Sequence, residues 1–421
     1  MVKVYSKPLG QTTGVKMSKK GSTRIDTLTV KPSEAAIAIK HMVKVNLENA
    51  ERGKKRRGLF IWGAPGIAKS SVVEQVADEL NFKLIDIRLT QMEPTDLRGI
   101  PVPFKDDQTG RAYVEWAIPQ MLPKRAVAED GTPLRKAQIT DDMGHQYDGA
   151  IILLDELPNA APSVQAGSYQ LVLDGALGEY VVPDNVIVMA AGNRETDKGA
   201  TFKMPTPLQN RFTHIEMRVD FEDFQTFALQ TGFHQAVVGY LTAFKHELFQ
   251  FEATSASRGF PTPRSWEMVS DILRGDPNIP ETVQMSLIAG SVGDGIAVKF
   301  LEYRKNAANL PAAGDILEGK ITELKKGADI SLMYALTTAL CYELKDRYDA
   351  SIAKGAKAED KKKFSTNVDN FLGFMMKNFQ SEMVIMGSRT ALAIFRIQFD
   401  PSGMKNWDEF SDKYQDLILA A

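Results

Sequence analysis

"GAPGIAKS", residues 63–70, decides how the rest of the chain is read. It departs at one position, Ala68, from the pattern G-x-x-x-x-G-K-[ST]. In that pattern backbone N–H groups and a helix N-terminus face phosphates, a lysine reaches the outer phosphates and a hydroxyl meets Mg²⁺. Gly63 and Gly66 permit unusual backbone angles and close approach, and Lys69 and Ser70 stand where phosphate and metal are met. Position 68 lies where the loop turns into its helix, so a right-handed backbone, which alanine tolerates, is expected there. A glycine-rich turn of purely structural use is the alternative. Against it stands the order around the loop: strand "LFIW" before it, helix "SSVVEQVADEL" after it, then strand "KLIDIRL". This is the βαβ order of a parallel sheet in three layers.

Upstream, "PSEAAIAIKHMVKVNLENAERG" (32–53) has a helical period with Pro32 and Ser33 as start signals and Gly53 as a stop. The cluster Lys54, Lys55, Arg56, Arg57 reads as a basic turn before a buried strand rather than a nucleic-acid patch. Residues 1–25 carry six basic and no acidic side chains before Asp26 and read as a mobile arm. Downstream, 104–148 has turn pairs and little periodicity, and reads as an insertion at the sheet's edge. "AIILLDE" (150–156) and "VIVMAAGN" (186–193) are apolar without alternation, as strands covered on both faces are. Between them lies a helix from Pro162, followed over 175–186 by a hairpin-like insert. Beyond Phe221 helical signals dominate, and "AKGAKAEDKKKF" (353–364) reads as a charged linker between two helices.

The chemistry-bearing residues end the apolar strands. Asp155 and Glu156 terminate "IILLDE" at the carboxyl edge of the sheet, where ligands of open α/β folds bind. Asp155 can serve Mg²⁺ and Glu156 can orient or deprotonate an attacking water. Asn193 ends the next apolar run, where an amide can position water or meet a γ-phosphate. Arg211 in "MPTPLQNRF" and Arg264 in "GFPTPRSWE" can each neutralise charge in phosphoryl transfer. Each is weak alone: an acidic strand end, a turn asparagine and surface arginines are common. Their order behind the glycine loop gives them weight. "HELFQ" (246–250) lacks the second histidine of H-E-x-x-H, and the five histidines include no pair at ligand spacing, so a metalloprotease is disfavoured.

With 421 residues the chain exceeds what one core usually supports. Lys+Arg 51 against Asp+Glu 53 gives a formal net charge of -2, so no global field draws it onto nucleic acid. The single cysteine, Cys341, excludes an internal disulfide framework and a cysteine zinc site. The absence of a signal-peptide core and of an apolar run near the ~20 residues that span a bilayer leads us to expect a soluble, cytoplasmic protein.

Taken in order, these segments resemble the AAA+ ATPases and, within them, the MoxR family. "GAPGIAKS" resembles the Walker A loop of that family, some of whose members also have alanine before the lysine. "LLDELPNAAPSVQAGSYQLVLDGALGEYVVPDN" resembles its Walker B strand, helix and inserted hairpin, "AAGNRETDKGATFKMPTPLQNRF" its sensor 1 and arginine-finger segment, and "RGFPTPRSWEMVSDIL" its sensor 2 region. By motifs the match runs from about Pro32 to Arg304. The resemblance implies a three-layer α/β P-loop NTPase (AAA+) core over 26–222, an α-helical lid over 223–305 and a C-terminal helical region over 306–421. It implies ATP held by Gly63, Pro65, Gly66, Ile67, Ala68, Lys69, Ser70 and Ser71, with Mg²⁺ served by Ser70 and Asp155. It further implies that Glu156 activates water, Asn193 is sensor 1, Arg264 is sensor 2 in cis and Arg211 is a finger acting on a neighbour's ATP. A homo-oligomeric ring, usually a hexamer, would then remodel a protein partner, often a von Willebrand factor A-like protein. The metal motif D-x-S-x-S of such partners is absent here: "DPSGM" (400–404) lacks the last serine, so a partner of that kind would be another chain. Two other classes stay open: a nucleic-acid motor, supported only by the basic arm and "KKRRG", and a nucleotide-dependent scaffold with little turnover.

Overall fold

The computed structural model describes residues 28–105, 109–194, 197, 204, 206–251, 258–276, 278–324, 329–354 and 356–419. The basic arm read over 1–25 lies outside them. Strand β1 (Thr29–Val30) leads into helix α1 (Pro32–Glu51), which has proline in its first turn, and then into β2 (Gly58–Trp62). The glycine loop joins β2 to α2 (Lys69–Glu79), followed by β3 (Phe82–Arg88). The segment after β3 forms the short helix α3 (Pro94–Arg98) and three antiparallel pairs, which take in the stretch 104–148 that reads as irregular. These are β4 (Ile100–Lys105) with β5 (Ala112–Ala117), β6 (Arg125–Val127) with β7 (Pro133–Ala137), and β8 (Ile139–Thr140) with β9 (Gln146–Tyr147). The core resumes with β10 (Gly149–Asp155), α4 (Pro162–Asp174), the small pair β11 (Ala176–Leu177) and β12 (Tyr180–Val181), and β13 (Val186–Gly192). It ends with the short α5 (Thr206–Gln209) and β14 (Phe212–Met217).

The central sheet is wholly parallel, in the order β1-β14-β2-β13-β10-β3. Its residues explain why helices cover both faces. Leu59, Ile61, Ile151, Leu153, Ile187 and Met189 point to one side and pack on α1 and α2 through Ile39, Val43, Val72 and Val76. Their neighbours Phe60, Ile152, Leu154, Val188 and Ala190 point to the other side, onto Val164 and Leu171 of α4. Strands buried on both faces need no polar alternation, which is why they read as unbroken apolar runs. β14 does not read that way, because Thr213, His214 and Glu216 interrupt it, and the two-residue β1 is too short to read at all. His214 is accommodated by bonding: its Nδ1 accepts from Trp62 Nε1 at 2.9 Å and its other ring nitrogen meets Gln209 O at 2.7 Å. The basic turn is used within the fold. Arg56 donates to Val182 O and Pro183 O and pairs with Asp184, while Lys55 pairs with Asp174.

A second body is helical: α6 (Phe221–Gln230), α7 (Gln235–Ala243), α8 (Pro263–Arg274), α9 (Glu281–Val292) and α10 (Asp294–Ala307), around Trp266, Tyr240 and Phe300. A third core, including Leu340, Phe371 and Phe410, joins α11 (Ala313–Leu317), α12 (Ile330–Ile352), α13 (Ala358–Asn378), α14 (Ser381–Arg389) and α15 (Lys405–Leu419). The linker reading of 353–364 fails from Ala358 onward. Glu359 and Asp360 suit the first turn of a helix, Asp360 caps Lys357 N at 2.8 Å, and Phe364 anchors the helix in the core.

Candidate nucleotide-binding and hydrolysis site

The loop after β2 turns back through two left-handed residues, Gly66 (φ 74°) and Ala68 (φ 66°, ψ 32°). The right-handed backbone expected at position 68 is therefore corrected. The residue just before Lys69 is the one that reverses the chain into α2, and the side chain there must bear the left-handed conformation. For alanine that costs about 1–2 kcal/mol, strain of the sort that gathers at functional sites. Glycine would relieve it while losing ~0.4–1 kcal/mol through its freer unfolded chain. Ala68→Gly is thus expected to raise the melting temperature of the α/β core by a few degrees and to keep nucleotide affinity. Calorimetric melting checks this, and a lower melting temperature would refute the strained geometry.

Close packing fixes the rest of the loop. A Cβ on Gly63 would come within 2.9 Å of Met217 O and 2.6 Å of Ile67 Cδ1. Ile67 is buried in the core, so only its backbone can face a ligand. Gly63 N donates to Gly192 O at 3.3 Å, tying the loop to the end of β13. On the side of the second, helical body, Thr262 caps α8 through Ser265 N, and a Cβ on Gly66 would lie 2.8 Å from Thr262 Oγ1. Arg264 N donates to Gly66 O at 3.3 Å, so the first turn of α8 rests directly on the loop.

Four strand ends converge here. Lys69, 8% exposed, donates to Gly63 O, Ala64 O and Asn193 Oδ1, each at 2.9 Å. Ser70 Oγ donates to Asp155 Oδ2 at 2.9 Å, and Glu156 N donates to Asp155 Oδ1 at 2.8 Å. Glu156 is left-handed (φ 56°), another strained residue at this edge, and its Oε2 accepts from Thr90 Oγ1 at 2.6 Å. Thr90 was not singled out in the sequence, since its role comes from β3 lying beside β10. Asp86, also unremarked, adds negative charge: burial, then the charge of Asp155, raises its carboxyl above the usual range. Pro65 is half-buried in the loop and Ser71 is exposed on α2. Arg264 is exposed and near enough that its charge acts on Lys69.

Arg211 is the one candidate set apart. It is exposed and directly precedes Phe212, which pairs with Gly58 at the start of β2. The loop begins only after the five residues of β2, about 13 Å along a strand at ~3.3 Å per residue. Arg211 therefore stands at the other edge of the sheet from its own chain's loop.

Burial is the main cause that lowers the Lys69 ammonium from 10.5 to about 8, offset in part by Asp155 and Asp197. A phosphate against Nζ favours the charged form and returns the value upward. Nucleotide binding should accordingly take up a proton near pH 8, and affinity should fall as pH rises through that value. Calorimetry in two buffers of different ionisation heat measures the uptake, and Lys69→Met should abolish it.

No curated protein matches the chain. Among solved structures, a candidate ATPase of Cytophaga hutchinsonii is 14% identical over 92% of each chain, with a TM-score of 0.29. The RuvB Holliday junction branch migration motor of Thermotoga maritima is 14% identical over 81% of this chain and 87% of its own, with a TM-score of 0.31. Scores this low carry nothing about activity or assembly across to this chain. Residues 58–212, from the first residue of β2 to the first of β14, match the family model of the AAA domain, dynein-related subfamily. That stretch holds four of the six strands of the parallel sheet, the glycine loop and the strand-end carboxylates, and it is similar to the AAA domains of the dynein-related subfamily.

Proposed function

We propose that the chain binds ATP with Mg²⁺ at the glycine loop and hydrolyses it within a ring of like subunits, a hexamer by resemblance to MoxR proteins. Turnover would remodel or activate a protein partner, with a von Willebrand factor A-like protein as the first candidate. The observation that carries this reading is the single hydrogen-bonded set at one sheet edge: Lys69 to Asn193, Ser70 to Asp155, and Asp155 to Glu156 N.

The donor set suits Mg²⁺. Ser70 and Asp155 offer oxygen ligands side by side, and among the described residues no group of three or more His, Cys, Asp or Glu could hold a metal by itself. A cation there would complete its shell with phosphate and water oxygens, as Mg²⁺ does; when bound, it would neutralise charge on the phosphates. Lys69 would exchange its three present acceptors for the β/γ-phosphates, and its departure would leave the Asn193 amide to the γ-phosphate or the water. Glu156, held by Thr90, would take the proton from that water. Arg264, whose backbone already rests on the loop, would turn its guanidinium to the phosphates, and the position of Arg211 favours action on a neighbouring subunit's nucleotide.

The test is steady-state hydrolysis against protein concentration, with particle mass followed by light scattering. Specific activity is expected to rise as the ring assembles. A ring that binds ATP and never turns it over would instead favour the scaffold reading.

A further inference from the structure

Away from the glycine loop, a cleft of about 700 Å³ opens between the lid and the C-terminal helices. One end is built from the turn between α6 and α7, the end of α8 and the end of α10, which bring His234, Arg274 and Arg304 together. His234 is fixed by its own backbone: its N–H donates to Ser270 Oγ at 2.9 Å and its Nδ1 accepts from Ala236 N at 3.1 Å. With Nδ1 accepting, the neutral ring carries its proton on Nε2 and is a donor there. The charges acting on this ring are both cationic, Arg304 and Arg274, which add to burial in lowering it to about 4. Neither arginine is neutralised by a close carboxylate across the cleft. Arg304 donates to the amide of Gln284 at 3.0 Å and feels the charge of Glu281, and Arg274 pairs, among the described residues, with Asp271, on its own helix and 68% exposed, at 3.6 Å.

The rest of the cleft is different in kind. Small side chains, including Ala308, Ala312, Ala335 and Ala339, make a floor with room above it. Two carboxylates line the α12 side: Glu343 is engaged by Arg347 at 2.8 Å, and the Asp346 carboxyl is raised above its ordinary value by burial first and then by the charges of Glu343 and Asp349. Ordinary surface arginines stand apart or pair with acids. Here two arginines and a histidine held as a donor face one space, in a concave site of the size that takes small molecules.

We propose that this cleft binds a small organic anion, whose phosphate or carboxylate group lies among Arg274, Arg304 and His234 while its uncharged body lies on the alanine floor. The walls belong to two helical bodies already joined where α12 packs on α7 and Tyr342 O–H donates to Phe233 O at 2.7 Å, and the ligand would add to that contact.

Isothermal titration of the full chain with inorganic phosphate, adenosine monophosphate and succinate tests this and separates phosphate from carboxylate. At least one probe is expected to bind, to weaken tenfold or more in Arg274→Gln and Arg304→Gln, and to be lost in Ala339→Trp, which fills the floor without touching a charge. ATP binding at the glycine loop should persist in all three variants, showing that they fold. Failure of all three probes to bind overturns the proposal. So does binding that survives these substitutions, or that disappears in Lys69→Ala, which would place it at the glycine loop.

Discussion

Glutamine in place of Glu156 is expected to lower ATP turnover by about 10²–10⁴-fold, the range usual for loss of a positioned general base, while ATP binding is kept. The substitution is close to isosteric. The glutamine Oε1 can still accept from Thr90 Oγ1, and the bond from the backbone N–H of residue 156 to Asp155 does not involve the side chain. The bond from Ser70 to Asp155 and those from Lys69 to Gly63 O, Ala64 O and Asn193 do not involve residue 156, so the groups proposed to hold phosphate and metal are untouched. What disappears is the carboxylate at the end of β10 able to take a proton from water. Single-turnover hydrolysis alongside equilibrium ATP binding separates the outcomes. Turnover within a few-fold of wild type would remove Glu156 from the role of base. A fall in ATP affinity equal to the fall in turnover would make its role one of holding the loop.

The parts of this site that were legible in the sequence share a physical cause. β10 and β13 are covered on both faces, so they appear as apolar runs, and the first polar residues after them must lie at the sheet's edge. Asp155, Glu156 and Asn193 could be placed there for that reason alone. Lys69 and Ser70 follow from the spacing of a loop between a strand and a helix. Features that depend on how distant segments close were not legible. The left-handed backbone at Ala68 is imposed by the loop's closure, and alanine gives no local sign of it. The grip of Thr90 on Glu156 exists because β3 pairs with β10 across 66 residues of chain. β14 is hidden by His214, whose polarity is satisfied by Trp62 on the next strand. The three hairpins after β3 rest on two to six residue pairs each, too few to show a period.

Arg211→Ala should separate a site completed by a neighbour from one complete within the chain. The side chain stands about 13 Å or more along β2 from its own loop, too far for a guanidinium to reach a phosphate held there. Two effects follow if it serves the next subunit's nucleotide. The dilute, unassembled variant should bind ATP as wild type does, because its own loop, Lys69 and Ser70 are unaltered. The assembled variant should hydrolyse ATP about 10³–10⁵-fold more slowly, the span for loss of an arginine finger. Mixing gives the sharper readout. Each variant subunit disables its neighbour's site as well as lacking none of its own binding groups, so in mixed rings activity follows the fraction of sites faced by a wild-type Arg211. A catalytically dead Glu156→Gln subunit with its Arg211 intact should then restore turnover at the loop of an adjacent Arg211→Ala subunit. Complementation between two inactive proteins requires a shared site. Its absence in rings that light scattering shows to be mixed, together with weakened ATP binding by the dilute Arg211→Ala chain, would return Arg211 to a structural part in its own subunit.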